Sequence, residues 1–111
     1  MNIQIYGSKK CFDTKKAERY FKERNIPYQY IDLPRYGMSN RVFASAKCKL
    51  SVEDMIDRKS KAYQACNMDY IDESKRESTL LEHPAMFRTP IVRNGGAFTL
   101  GYCPEIWKHW N

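Results

Sequence analysis

The sequence lacks a long hydrophobic run. No apolar stretch in its 111 residues approaches the ~20 residues that a membrane-spanning helix requires. The N-terminal "MNIQIYGSKK" also lacks the basic, apolar and small-residue segments that follow one another in a secretory signal peptide. The sequence therefore predicts a cytoplasmic protein that does not associate with membranes.

The sequence has few cysteines, namely Cys11, Cys48, Cys66 and Cys103. No two of them have the spacing of about two to four residues that structural zinc sites use, so no metal site is predicted. So few cysteines in a chain that is 42% hydrophobic also argue against a disulfide scaffold. We expect free thiols in a reducing compartment. Cys48, Cys66 and Cys103 are expected to pack as small hydrophobic residues, and a role as a resolving thiol stays open for each.

Internal repeats, low-complexity segments and interdomain linkers are also lacking. The length of 111 residues predicts one domain, residues 1–111, with a single core. A net charge of +6 is compatible either with a soluble basic surface or with attraction of an anion such as glutathione or an oxyanion. Binding of nucleic acid is not expected, because glutamates interrupt the basic residues and no aromatic stacking motif is present.

The first third of the sequence predicts a βαβ unit. Residues 2–6 and 28–33 have strand patterns, and residues 12–24 have an amphipathic helical pattern that Asn25, Ile26 and Pro27 end. The two strands should be parallel with a right-handed crossover, since that hand is nearly universal. The predicted apolar face of the helix comprises Phe12, Ala17, Tyr20 and Phe21.

The rest of the chain predicts a helical block and then a hairpin. Residues 34–37 are predicted as a loop. Helices are expected at 40–48 after the N-cap Ser39, and then at 51–56, 61–66 and 72–84. Asn94-Gly95-Gly96 predicts a tight turn between strands 91–93 and 97–100, and Pro104 opens a final helix, 104–111. The order indicates an α/β, thioredoxin-like fold, βαβ plus ββα, with an all-helical insertion at about residues 38–86.

Cys11 is the strongest candidate for a chemically active group, because it lies between the first strand and the start of the first helix. Unpaired N–H groups and the helix dipole at that point stabilise a thiolate and lower its pKa below the usual ~8.5. Thr14, one turn later, can donate a hydrogen bond to the sulfur where CxxC proteins have their second cysteine. The alternative is an ordinary loop cysteine.

Three stretches of the sequence resemble the arsenate reductase (ArsC)/Spx family of thioredoxin-like proteins. They are "IYGSKKCFDTKKAERYFKERNIPYQYIDL", "DMIDRKSKAYQACNMD" and "LLEHPAMFRTPIVRNGGAFTLGY". The resemblance implies that Cys11 is a nucleophile in thiol exchange, with glutathione and glutaredoxin, or with thioredoxin, as reductant. Glutathione would be a co-substrate, and no bound cofactor is expected. The resemblance also implies that Pro90 is a cis-proline and that Thr89 binds substrate through its main chain.

The resemblance further implies an incomplete clamp for arsenate. Arg58 matches the catalytic arginine of the family's helical insert, and Lys10 and Arg88 are further candidates for substrate binding. The family's arsenate enzymes have arginine directly before the cis-proline, where this sequence has Thr89. Arg88 is one place earlier, and in a strand that shift turns a side chain to the other face. The resemblance also implies that another arginine of those enzymes, which follows the hairpin, is replaced around Tyr102 in this sequence. Since a bidentate donor is hard to replace, we expect weak or no arsenate turnover.

Spx members of the family bind RNA polymerase and regulate transcription, many of them through a CxxC switch. Thr14 occupies the second cysteine position here, so that switch is absent. The first hypothesis is therefore an enzyme, a thiol oxidoreductase of the arsenate reductase type. The alternative is a regulatory module that binds RNA polymerase or another acidic protein.

Overall fold

The computed structural model describes residues 1–110. Its strands are β1 (Ile3–Gly7), β2 (Tyr28–Asp32), β3 (Ile91–Asn94) and β4 (Ala97–Leu100). The α-helices are α1 (Phe12–Glu23), α2 (Leu33–Tyr36), α3 (Asn40–Lys47), α4 (Lys61–Ala65), α5 (Arg76–Glu82) and α6 (Pro104–Trp107). Three 3₁₀ turns are at Glu53–Met55, Glu73–Lys75 and Pro84–Met86.

The strands form one sheet in the order β2-β1-β3-β4. β2 is parallel to β1, as the βαβ pattern predicts, whereas β3 is antiparallel to both β1 and β4. Helices α3 to α5 lie in the connection between β2 and β3. The arrangement confirms the predicted thioredoxin-like fold with a helical insertion between its two halves.

Helix α1 ends in a way that its sequence predicts. Asn25 has a positive φ of 55°, which asparagine tolerates better than most residues. The N–H of Asn25 donates to the carbonyl of Lys22, and the N–H of Ile26 donates to that of Phe21. These two bonds satisfy carbonyls that the end of a helix would leave unpaired, so the helix stops where the sequence predicts.

Each face of the sheet supports a hydrophobic core, because side chains alternate along a strand. On one face α1 and α6 cover Ile3, Ile5 and Val92, and the Trp107 indole donates a buried hydrogen bond of 2.8 Å to Thr99 Oγ1. The insertion covers the other face, where Tyr6, Ile91 and Phe98 meet the buried side chains of the helical block. Among residues 1–110, no helix has both the length and the apolar composition that crossing a membrane requires.

The local structure departs from the predictions at several points. Residues 51–56, predicted as a helix, contain only the 3₁₀ turn at Glu53–Met55. Leu33, predicted to end the second strand, and residues 34–36, predicted as part of a loop, form the short helix α2, with Pro34 in its first turn. Phe12 is 77% exposed, although the helical pattern assigned it to the buried face. Thr14 is buried in its place, since two residues of an α-helix are about 200° apart around the axis. Helix α6 ends at Trp107, short of the predicted 104–111, and Asn111 lies outside the described residues.

The insertion also contains a strand-like contact that has no signal in the sequence. Ile56 and Phe87 form an isolated antiparallel bridge. Around it, the Asp57 N–H donates to the Met86 carbonyl at 2.8 Å and the Arg88 N–H donates to the Met55 carbonyl at 2.7 Å. The bridge attaches the middle of the insertion to the segment that leads into β3.

Candidate active site

Cys11 is the N-cap residue of α1, with an extended backbone conformation. Its N–H donates to the Ser8 carbonyl at 3.0 Å, and its carbonyl accepts the Lys15 N–H at 3.3 Å. Its side chain is half-buried, and Sγ lies 3.4 Å from the Thr89 carbonyl oxygen, which accepts the thiol proton. The nucleophile candidate thus lies at the strand-to-helix junction and faces the residue before Pro90.

The pKa of the Cys11 thiol is lowered from its ordinary value. Burial raises this pKa, but the nearby Thr89 and Thr14 hydroxyl groups and the backbone N–H groups of Thr14 and Asp13, which are donors that favour a sulfur anion, together lower it by more. Hydrogen bonds to sulfur favour the charged form, because they replace the solvation that burial removes. A thiol in this environment carries more thiolate at neutral pH than an ordinary cysteine does.

Thr14 is buried beneath the first turn of α1, and it was predicted to act on the Cys11 sulfur. Its hydroxyl oxygen also accepts the Ser8 N–H at 3.3 Å. Gly7 allows this arrangement, because a Cβ at Gly7 would lie 2.9 Å from Thr14 Oγ1 and would overlap the Thr14 methyl group. Sequence reasoning missed Gly7, whose only signal is a glycine at the end of β1. The catalytic role of Thr14 stays a prediction.

An open cleft of about 370 Å³ lies in front of Cys11. Its lining includes the predicted substrate-binding residues Lys10, Arg88 and Thr89. Pro90, the fourth residue predicted to bind substrate, is buried and does not line the cleft, and the Thr89–Pro90 peptide bond is cis, as the resemblance implies. The fold therefore gathers residues 10–11 and 88–90 into one site, although nearly 80 positions separate them in the sequence. Their roles in binding stay predictions.

The position of Arg88 corrects one step of the sequence argument. Its one-place shift was expected to turn the side chain away from the site, as it would within a strand. However, β3 begins only at Ile91, so strand alternation does not govern Arg88. Arg88 lines the cleft, and within residues 1–110 its side chain makes one hydrogen bond, of 3.4 Å from Nη1 to the Asp54 carbonyl.

Arg58 is not among the residues that line the cleft. Its side chain is 66% exposed and pairs with Glu53, Nη2 to Oε1 at 3.3 Å. Glu53 also binds Arg76 through two charge-assisted hydrogen bonds of 2.8 and 2.9 Å, and those three residues border a separate cavity. In this conformation Arg58 pairs with Glu53 and lies outside the Cys11 cleft. The predicted catalytic role of Arg58 stays a prediction that requires the side chain to move.

Asp57, which the sequence analysis did not select, does line the cleft. The hydrogen bond from its N–H to Met86 holds its backbone beside the segment before β3. Its Oδ1 atom accepts the Lys59 N–H at 3.0 Å, and this contact orients the carboxylate. Only the pairing of distant segments brings Asp57 to the site, so no local motif could have identified it.

The other three cysteines are free thiols. Cys66 and Cys103 pack against the two cores as predicted, but Cys48 is exposed at the end of α3, which the sequence did not predict. Burial raises the pKa of Cys103, and its sulfur donates to the Leu100 carbonyl at 3.2 Å. The residues that the structure describes contain no group of three or more His, Cys, Asp or Glu side chains suited to a metal ion.

Comparison with known proteins identifies relatives along almost the whole chain. The family model of the ArsC family matches residues 6–110. An arsenate reductase of Haemophilus influenzae is 29% identical over 111 residues, covering 95% of each chain. The global transcriptional regulator Spx 2 of Oceanobacillus iheyensis is 27% identical over 107 residues, covering 92% of this chain and 78% of that protein. The solved arsenate reductase from Vibrio cholerae superposes with a TM-score of 0.81 over 96% of this chain and 94% of its own, at 22% identity, which is a likeness of fold.

Proposed function

Because this chain belongs to the ArsC family, we propose that it is a thiol oxidoreductase of the arsenate reductase type with Cys11 as its nucleophile. The reductant is glutathione, with or without glutaredoxin, or thioredoxin. The proposal depends on one observation above all: a cysteine with a lowered pKa opens into a cleft that also contains Lys10 and Arg88. Thiol exchange requires an accessible thiolate of this kind.

The proposed reaction is a pair of thiol–disulfide exchanges. The Cys11 thiolate attacks one sulfur of a disulfide, so that a bond to Cys11 forms while the original sulfur–sulfur bond breaks. The other half leaves as a thiolate and takes a proton from water. A second thiol, from glutathione or a redoxin, then attacks the mixed disulfide and releases Cys11. The N–H groups at the start of α1 stabilise the sulfur each time it carries negative charge.

Arsenate itself is expected to be turned over weakly or not at all. The cations of the cleft are Lys10 and Arg88, while Arg58 is paired with Glu53 outside it. A tetrahedral oxyanion gains most from planar, bidentate donors that surround it. Rapid arsenate reduction with glutathione and glutaredoxin would contradict this part of the proposal.

The activated thiol is tested by alkylation. The rate of Cys11 alkylation should rise with an inflection at a lower pH than that of an ordinary cysteine, because its pKa is lowered. The inflection should vanish in Cys11→Ser and persist in Cys66→Ser, which removes another half-buried thiol. Incubation with glutathione disulfide should then add one glutathionyl group, located by mass spectrometry on Cys11. If Cys11 titrates like an ordinary cysteine, the enzymatic proposal fails.

A regulatory role is the second candidate, and the Spx relative that aligns with 92% of this chain favours it. The exposed face of α1 is basic, with Lys15, Lys16, Arg19 and Lys22. A partner with an acidic surface, such as a subunit of RNA polymerase, suits this face.

The regulatory role is tested by binding to purified RNA polymerase. Binding should be lost in the double variant Lys15→Glu, Lys16→Glu and should survive Cys11→Ser. The variant Lys61→Glu, Lys75→Glu makes the same change of charge on the insertion and serves as the control. Absence of binding by the wild-type chain would reject this candidate.

A further inference from the structure

The cleft in front of Cys11 contains charges of both signs. Lys10 and Arg88 supply two cations, and Asp57 supplies one carboxylate. None of these three side chains takes part in a salt bridge with another residue of the described chain. Their charges therefore remain available to a ligand.

The main-chain pairing beside the cleft determines where Asp57 and Arg88 lie. Asp57 is opposite Met86, and Arg88 is opposite Met55, on either side of the bridge between Ile56 and Phe87. Residues in such diagonal positions are about 7–8 Å apart. Long side chains can reach across this backbone spacing, yet residues 1–110 contain no ion pair between Asp57 and Arg88. One small ligand can therefore contact both charges.

The carboxylate of Asp57 has a free side. Its Oδ1 atom accepts the Lys59 N–H, whereas Oδ2 has no hydrogen-bond partner within residues 1–110. The first contact explains why aspartate suits the turn, but asparagine would serve the turn equally well. The negative charge in the cleft is therefore the part of Asp57 that the local fold does not require.

We infer that Asp57 and Arg88 recognise opposite charges of one ligand, so that the Cys11 cleft selects disulfides of amino-acid-type thiols over inorganic oxyanions. Each half of glutathione disulfide carries an ammonium group and two carboxylates, which match one carboxylate and two cations. An oxyanion matches only the cations, and the negative charge of Asp57 repels it. A repulsive group of this kind contributes to specificity as much as an attractive one does. The inference rests on the proposed function, because Cys11 must exchange with the disulfide.

The experiment compares two disulfides that have the same carboxylates and differ at their amino groups. Rate constants for formation of the mixed disulfide at Cys11 are measured with glutathione disulfide and with its N-acetylated form, in which both amines are blocked. Wild-type protein should react about threefold to fivefold faster with the first, the range that one partly exposed ion pair supports. Asp57→Asn should bring this ratio close to one while it keeps the oxygen that accepts the Lys59 N–H.

Asp54→Asn is the matched control, because it removes an exposed carboxylate three positions away that does not line the cleft. The ratio of the two rates should stay at the wild-type value in this variant. Arg88→Gln should slow both disulfides by a similar factor, because both retain their carboxylates. The use of ratios cancels any change in the reactivity of Cys11 itself.

Two results would overturn the inference. One is a ratio that is the same in wild-type protein and Asp57→Asn. The other is protection of Cys11 by inorganic phosphate that is equally strong in both proteins, which would indicate an oxyanion site. Failure of the proposed function has a different signature. In that case the neutral 2-hydroxyethyl disulfide would react with wild-type protein no faster than with Cys11→Ser.

Discussion

The contact between Gly7 and Thr14 provides a sharp test of how the site is built. Gly7 ends β1, and Thr14 lies under the first turn of α1. A Cβ added at Gly7 would be 2.9 Å from Thr14 Oγ1 and 3.2 Å from Thr14 Cβ, and it would overlap the Thr14 methyl group. Gly7→Ala must therefore push the first turn of α1, and Cys11 with it, away from the sheet.

The expected cost follows from the kind of contact. Forcing one methyl group into a well-packed site typically destabilises a protein by about 1–3 kcal/mol. Thr14 is 1% exposed, so its side chain has no solvent to move into. We expect Gly7→Ala to lower the free energy of unfolding by about 2 kcal/mol.

A double-mutant cycle isolates the contact from other effects of the two substitutions. Thr14→Ala removes both atoms nearest to the new methyl group, at a cost of about 1 kcal/mol for the lost hydrogen bond from Ser8. In the double variant the added methyl group has more room. The double variant should therefore lose about 1–2 kcal/mol less free energy of unfolding than the sum of the losses in the two single variants. Urea denaturation followed by circular dichroism measures all four proteins.

The alkylation rate of Cys11 provides a second measure of the same contact. Gly7→Ala should change this rate, because the substitution displaces the N-terminus of α1 that stabilises the thiolate. If the free energies of unfolding are additive within experimental error and the alkylation rate is unchanged, the close packing of β1 against Thr14 is refuted. The account of how Cys11 is positioned would then be wrong as well.

Three further predictions concern charge and burial. Arg76→Met should lower the free energy of unfolding by about 1–3 kcal/mol in urea denaturation, since Arg76 is only 13% exposed and is paired with Glu53. Arg58→Met removes a partner of the same carboxylate that is 66% exposed, and it should change the free energy of unfolding by less than about 0.5 kcal/mol. Equal effects of the two substitutions would contradict the argument from burial. Because folding lowers the pKa of Cys11, the ionised thiolate stabilises the folded protein. This contribution should be fully present above the pKa of the unfolded chain, near ~8.5, and should be lost as the pH falls through the folded pKa. The stability of wild-type protein relative to Cys11→Ser should therefore rise with pH across that window. Tyr30→Phe should leave stability unchanged or raise it, because the buried Tyr30 hydroxyl has no hydrogen-bond partner within residues 1–110. A loss above about 1 kcal/mol would show that the hydroxyl has one.

The elements whose signals are local were predicted well. The βαβ unit, the hairpin at Asn94-Gly95-Gly96 and the stop at Asn25 each depend on a pattern of fewer than about twenty residues. The resemblance to known proteins correctly implied the family and the cis bond before Pro90. The junction at Cys11 was also correct, because it requires only a strand, a loop and a helix in that order.

Errors arose where packing or distant segments decide the outcome. Phe12 was assigned to the buried face because an apolar residue near helical spacing resembles a core position, but the phase of α1 against the sheet buries Thr14. Arg88 was assigned to strand alternation, whereas β3 begins after the cis-proline. Arg58 and Asp57 are neighbours in the sequence, yet only Asp57 lines the cleft, and the Arg58 side chain pairs with Glu53 outside it.

The sequence by itself determined the order of the four strands and the identity of the nucleophile candidate, because both depend on residues close together along the chain. Three separate stretches of it also indicated the family. Only the tertiary structure decided which charges surround that nucleophile. Asp57 and Arg88 reach Cys11 through a bridge between Ile56 and Phe87, which are 31 positions apart (87 − 56). Such a contact forms when the free energy gained by burying the surface of the whole insertion exceeds the loss of chain entropy. A short stretch of sequence contains no information about that balance.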